Sequence, residues 1–409
     1  MSPPYGQPFS NPQLNGMAGV DLLSPPYAAE QLVTIEADRA QHADENIQWL
    51  LTSMDSAVLL AVGSRTHWLI EPGRNCCGAT MSMSWNTLAF FTADGRYLVN
   101  RGGDFMLRRA EAFSDWKSDS ARWINVSGHG RSNYVWGACE MNDGWTIISQ
   151  KYGIPVDSDY RNMTIAQIDN ASPHRTTWLV EVEGEGSRSP FFADGTLALC
   201  VVEGIQLIDT KGELGDLLKF DYLPGMVSVD LDETLCLLAR RGETFSFQRR
   251  SAEGKVIEDV PLGSGYPAQP PVALGDRRML IATHDCLFIV QHNAIIWQES
   301  LSERQPNSNM RDNIGLYGGQ DPLATSTPNG KFIIKHGGQL SIYDRAGVLQ
   351  ERISPPGDAP ITSNAAVSAA GNIYFACGLE IYELISGASV ASEQEVVSDW
   401  EGETTVGTE

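Results

Sequence analysis

Residues 93–109 read ADGRYLVNRGGDFMLRR, and residues 328–344 read PNGKFIIKHGGQLSIYD. The two align without a gap as turn, Gly, basic residue, apolar run, Gly-Gly, second apolar run. Self-similarity at long range marks a repeat architecture, in which one supersecondary unit recurs and stacks on its neighbours. The Gly-Gly pairs sit between strand-like runs and read as hairpin chemistry rather than as a phosphate loop.

Outward from these two copies, the same module recurs from about residue 46 to residue 386: strand, Asp/Gly turn, strand, short turn, strand, and a more variable last strand. Examples are SPFFADG, TLALCVVE, GIQLIDTKG and LLKFDYL, and then PPVALGD, RRMLIATHD, CLFIVQHN and AIIWQESL. Module starts lie roughly 33 to 55 residues apart, which brackets the period of a propeller blade. The second strands (TLALCVV, TLCLLA, RMLIAT, KFIIK, NIYFAC) are almost continuously apolar, as expected of strands covered on both faces. Third strands such as QLSIYD alternate, with one face buried. A unit of this kind cannot cover its own apolar faces, so several must pack in a ring.

The expectation is therefore an all-β chain: a single β-propeller over 31–386, of eight or alternatively seven four-stranded blades. The eighth module, 363–386, lacks its last strand, and QLVTIEA at 31–37 precedes the first module without a partner. That N-terminal strand is expected to complete the last blade and close the ring. Residues 1–30, rich in Pro, Gly, Asn and Ser with only Asp21 and Glu30 charged, read as a disordered arm. Residues 387–409 hold six acidic and no basic side chains and read as a disordered acidic tail.

The chain of 409 residues carries a formal net charge of −22. So acidic a surface repels phosphate backbones, and nucleic acid is not an expected partner. No run approaches about 18 consecutive apolar residues, so no membrane insertion is expected. The N-terminus does not resemble a secretory signal. Seven cysteines, an odd number, fit reduced thiols and a cytoplasmic location. Cys200, Cys236, Cys286 and Cys377 sit in apolar runs, where Cys packs as a small core residue.

The blade pattern of ADGTLALCVVEGIQLIDTKGEL (193–214) resembles the PQQ-like and WD40-like propeller superfamily, across residues 46–386. No blade ends in a repeated Trp-Asp pair. The resemblance draws attention to Cys76–Cys77 in RNCCGAT, because quinoprotein alcohol dehydrogenases of similar fold set an adjacent-cysteine disulfide against a PQQ ring. No Trp-docking motif with a TGK-like turn recurs in each blade, and no calcium-binding Glu/Asn/Asp set can be placed. No cofactor is expected.

Metal and nucleophile motifs give equally little. DSDYRN at 157–162 lacks the Gly and distal Glu of a calcium loop. His284, Asp285, Cys286 and His292 fall in one module but form no zinc spacing. GxSxG, HExxH and GxxxxGK[ST] are all absent. No catalytic or metal residue is assigned. Function is expected on the long connections 110–132, 150–162 and 302–321. Trp116, Arg122, Trp123, Arg304 and Arg311 there, with Trp400 in the tail, are the candidate partner-binding residues. The functional expectation is a non-enzymatic module for protein interaction or assembly, within a larger particle or on its own. The alternative is a propeller enzyme or small-ligand sensor with its site at the channel mouth.

Overall fold

The computed structural model describes residues 25–35, 46–52, 59–63, 66–70, 77–81, 89–91, 96–101, 104–109, 122–124, 133–141, 144–151, 161–169 and 176–184. It also describes 190–301 except 193, 202, 221–223 and 231, and 322–386 except 328–329, 358 and 369–370. Among these residues every regular element is a strand. β1 is Tyr27–Thr34. The first sheet is β2 (Ile47–Thr52), β3 (Leu59–Gly63), β4 (Thr66–Ile70) and β5 (Cys77–Met81). The second is β6 (Ala89–Phe91), β7 (Arg96–Arg101), β8 (Asp104–Arg109) and β9 (Arg122–Ile124). The third is β10 (Asn133–Met141), β11 (Gly144–Lys151), β12 (Arg161–Asp169) and β13 (Thr176–Gly184).

The fourth sheet is β14 (Leu197–Val201), β15 (Gly204–Ile208) and β16 (Leu214–Lys219). The fifth is β17 (Pro224–Val229), β18 (Leu235–Arg241), β19 (Thr244–Arg250) and β20 (Val256–Gly263). The sixth is β21 (Val272–Gly275), β22 (Arg278–Ala282), β23 (Cys286–Gln291) and β24 (Ala294–Ser300). The seventh is β25 (Leu323–Ser326), β26 (Phe332–His336), β27 (Gln339–Tyr343) and β28 (Leu349–Ile353). The eighth is β29 (Ala366–Val367), β30 (Ile373–Cys377) and β31 (Glu380–Ser386), and β1 adds to it beside β31.

All neighbouring strands run antiparallel. Two expectations need correction. The fourth sheet has three strands rather than four, with an isolated Phe191–Leu197 bridge where a first strand was expected. The N-terminal strand starts at Tyr27 instead of Gln31, and its register pairs Tyr27 with Ser386 and Thr34 with Glu380.

The strand pattern explains how the sheets pack. In β18, Cys236 and Leu238 join an apolar cluster with Met279, Ile281 and Phe288 of the sixth sheet. Leu235, Leu237 and Ala239 of the same strand join one with Ala198, Cys200 and Ile205 of the fourth. Alternate residues thus serve opposite neighbours, so Leu235–Ala239 must all be apolar. β14, β22 and β30 are buried at every residue. Each fully buried Leu or Ile contributes roughly 1.5–3 kcal/mol. A further cluster sets Ile47, Leu50, Ala61 and Trp68 of the first sheet against Ala366, Tyr374 and Ile381 of the eighth.

Two polar devices recur between sheets. The Gln269 amide brackets the Ala324 backbone, accepting from its N–H at 2.8 Å and donating to its carbonyl at 3.5 Å. Asn364 brackets Leu50 in the same way, at 2.8 and 3.1 Å. The second device is aromatic. Trp178 donates from Nε1 to the Thr210 carbonyl at 2.9 Å. Its ring lies so close over Gly212 that a Cβ there would come within 2.6 Å of it. Trp297 covers Gly347 to the same 2.6 Å. Both glycines also need φ near +80°, which a side chain disfavours.

Candidate functional site

The first-to-second and third-to-fourth strand turns of each sheet lie at one end, because each sheet is an antiparallel meander. At seven such turns among the described residues, the N–H of residue i donates to the carbonyl of i+4 and its own carbonyl accepts from the N–H of i+3. Position i+3 is Gly195, Gly212, Gly254, Gly330, Gly347 or Gly371 in six of them, and Glu233 in the seventh. The sixth sheet instead uses two-residue turns, Asp276–Arg277 and His292–Asn293, with φ between 49° and 61°. Turns of that shape favour Asn-Gly. These five residues are the non-glycine positions with positive φ among the described residues, and all lie at this end of the fifth and sixth sheets. A left-handed side-chain-bearing residue costs roughly 1–2 kcal/mol, so neighbouring contacts must hold it.

At the Asp276–Arg277 turn those contacts are ionic. Arg249, near the end of β19, is fully buried and donates to Asp230, to Thr234 Oγ1 at 2.9 Å and to the Arg277 carbonyl at 2.8 Å. Glu258 Oε1 stands 3.6 Å from Arg249 Nε, yet Nε and Glu258 Oε2 are buried without a hydrogen bond. Outside this core, Asp232 accepts from Arg277 at 3.1 Å, and Asp276 pairs with Arg345 of the seventh sheet at 2.6 Å. Burial works to raise the Asp232 carboxyl, but the Thr234 hydrogen bond and the Arg249 and Arg277 charges outweigh it and hold it below its ordinary value. Burial pushes the Cys236 thiol well up, so it packs as a protonated thiol beside the network.

The same end is apolar at its margin. Nine large apolar side chains are exposed among the described residues, and eight lie on last strands or one residue ahead. They are Leu179, Leu214, Val256, Ile257, Ile295, Ile296, Val348 and Leu349; Tyr266, on a loop, is the ninth. In sheets four to seven they stand where the chain leaves the turn, and three of those sheets present two in succession. Consecutive apolar residues exposed on an edge strand invite association. The arrangement is suited to contact with another apolar surface, braced by turns that a buried guanidinium holds in place.

No family model matches the chain, and no curated protein matches it. Solved structures do. Dihydro-heme d1 dehydrogenase NirN, in complex with DHE, superposes with a TM-score of 0.53 at 13% identity, over 74% of this chain. The match spans 65% of NirN's own chain, under two thirds of it. Hsv2 of Kluyveromyces marxianus gives 0.50 at 8% identity, over 75% of this chain and 98% of that one. Virginiamycin B lyase from Staphylococcus aureus gives 0.46 at 11% identity, over 88% and 99%. These are propeller proteins. The chain is a β-propeller. At such identities the likeness carries the fold and nothing of the chemistry.

The sheets are the propeller's blades, and the exposed apolar pairs lie on their outer strands. The expected site residues fare differently. Trp116, Arg304, Arg311 and Trp400 lie outside the described residues, as do Cys76 and the stretch 152–160. Arg122 and Trp123 were expected on a loop; they form β9, the outer strand of blade two, because the chain pairs again with β8 at Ile124–Phe105. Cys77 opens β5. His284 and His292 flank opposite ends of β23, so the strand holds them apart. Among the described residues no three His, Cys, Asp or Glu side chains are grouped to hold a metal ion. Cys200, Cys236, Cys286 and Cys377 are buried.

The Trp178–Gly212 and Trp297–Gly347 contacts escape a search for one motif in every blade, since they occur at two junctions among the described residues. The Arg249 network had a signal of its own. QRR replaces the apolar-polar alternation at the end of β19, and DLDE at 230–233 ends in Glu where its sister turns end in Gly.

Proposed function

We propose that the chain is a cytoplasmic protein-interaction platform, a ring of eight blades closed by β1, with partners engaging the outer rim of blades four to seven at the turn end. One observation carries it: eight of the nine exposed large apolar side chains among the described residues sit on outer strands or the residue ahead of them. Patches of this kind on a well-packed protein mark contact sites. The ring is supported by the amide bracket, since Asn364 of blade eight holds Leu50 of blade one as Gln269 holds Ala324 of blade seven. The strained turns support the site, because strain maintained by a dedicated network at one end of two blades is better accounted for by binding than by packing. The charge of −22 argues against nucleic acid as the partner.

Affinity capture with mass spectrometry tests the rim, comparing the full chain with its Ile296→Asp, Val348→Asp double variant. A partner should be retained by the first and lost roughly ten-fold or more by the second, since each buried apolar side chain is worth about a factor of ten in affinity. A partner retained equally by both would move the site off the rim.

A further inference from the structure

We propose that a bound water sits in the interface of blades five and six, accepting a hydrogen bond from Arg249 Nε and donating one to Glu258 Oε2. It completes the brace of the Asp276–Arg277 turn and is independent of any partner at the rim.

A polar row crosses blade five at this place. Ser228 of β17 stands opposite Cys236 of β18, Cys236 opposite Arg249 of β19, and Arg249 opposite Glu258 of β20. Residues directly opposite share a face of the sheet, and Cys236 puts this row on the face packed against blade six. All four are buried. Three of them hold a side-chain polar atom with no hydrogen-bond partner among the described residues: Ser228 Oγ, Arg249 Nε and Glu258 Oε2. Buried polar atoms are nearly always met, because each unmet one loses its hydration without replacement.

Blade seven shows how the same row is met elsewhere. There it runs Thr325, Ile333, Ile342 and Glu351. The Thr325 hydroxyl donates to the Ala365 carbonyl at 2.8 Å, and Glu351 Oε2 accepts from the Tyr27 N–H at 3.1 Å. Both polar ends are thus taken up by segments of blade eight, and the middle is apolar. In blade five the guanidinium uses its Nη groups on Asp230, Thr234 and the Arg277 carbonyl. Its Nε stands 3.6 Å from Glu258 Oε1, too far for a hydrogen bond.

The chemistry of the two atoms selects the ligand. Nε–H requires an acceptor, and a carboxylate oxygen requires a donor. An anion would meet Glu258 and Asp230, and a cation would meet the guanidinium. A neutral molecule with an O–H donor and lone pairs serves both, and between two packed blades that molecule is water. With Nε held as well, the guanidinium is fixed at its third nitrogen, and Nη2 stays aimed at the Arg277 carbonyl.

Crystallography of the full chain, at a resolution that places ordered solvent, tests this. A solvent peak should lie within about 2.6–3.2 Å of both Arg249 Nε and Glu258 Oε2. A direct Nε–Oε2 hydrogen bond, a peak that reaches one atom alone, no peak, or a peak with the density and contacts of an ion would each overturn the proposal. In solution, protein carrying nitrogen-15-labelled arginine should show dipolar cross-relaxation from water to the Arg249 Hε, with NOE and ROE of opposite sign. That resonance is assigned by its loss in Arg249→Lys, and its failure to show the cross-peak also overturns the proposal. The crystal needs no substitution, so it decides even where Arg249→Lys fails to fold.

Discussion

Arg249 of blade five and Ile342 of blade seven occupy the same place, two residues ahead of the turn residues Ser251 and Asp344, on the side that faces the next blade. Ile342 sits in an apolar cluster with Ile333, Leu340 and Phe375. Arg249 sits in the equivalent interface among Asp230, Thr234 and Glu258. Desolvating a charge costs several kcal/mol, which pairing offsets only when geometry is good. The unbonded Nε and Glu258 Oε2 show that it is incomplete here. Blade seven is therefore built for packing, whereas blade five holds a buried charge whose reach to the Arg277 carbonyl braces a left-handed turn. The repeat's apolar side chain is kept at this place in blade seven and replaced by a buried charge in blade five.

Arg249→Ala attacks that contrast most directly. It would leave Asp230 and Glu258 buried without their counter-charge, at a cost of about 3–5 kcal/mol, read by chemical denaturation. Removing the charges together, with Arg249→Ile, Asp230→Thr and Glu258→Gln, should instead return to within about 1 kcal/mol of the parent or exceed it. A triple variant as unstable as the single one would mean that the guanidinium network is required for the blade itself rather than for its turns.

A second test compares the glycines of the two turns. Gly347 and Gly254 both have φ above +80°. A Cβ at Gly347 meets the Trp297 ring at 2.6 Å, whereas one at Gly254 meets Leu218 side-chain atoms at 3.2 Å and beyond. Gly347→Ala should cost about 2–4 kcal/mol, backbone strain plus overpacking. Gly254→Ala should cost about 1–2 kcal/mol, from strain alone. Equal melting shifts for the two would remove the Trp297 contact from the account of how blade six holds blade seven.

These residues also show how far the sequence could be read. The repeat and the all-apolar second strands were legible because hairpin chemistry and strand alternation are local signals. Tryptophan docking was not, because Trp297 and Gly347 lie in different blades and no spacing rule joins them. The exposed pairs Ile295–Ile296 and Val348–Leu349 look in sequence like any buried strand start. Only the fold shows that they stand on an outer edge. Arg and Trp on long connections drew attention instead, and Arg122 and Trp123 turned out to belong to a strand. The altered turns were visible as the lack of a closing Gly, but their cost appears only with φ.

The junction of blade eight with β1 carries a milder version of the conflict in blade five, and it can be tuned by pH. Glu30 and Glu383 stand directly opposite each other across the β1–β31 pair, and Tyr374 of β30 stands opposite Glu383 on its other side. Burial, with the Glu30 charge adding to it and a Tyr374 hydrogen bond opposing, holds the Glu383 carboxyl above its ordinary value. A raised carboxyl favours the folded state while protonated. That contribution is complete below the unfolded-state value near 4.5 and is lost as pH rises through the higher folded-state value. Glu383→Gln removes the charge, so it should stabilise the chain at neutral pH by about 0.2–1 kcal/mol, the usual scale for like charges across a strand pair. The gain should shrink toward zero below pH 4.5, and Glu30→Gln should reproduce part of it. Melting curves of parent and variant that stay parallel from acid to neutral pH would mean that the two carboxylates do not meet. The like-charge pair would then place no limit on how tightly β1 holds blade eight.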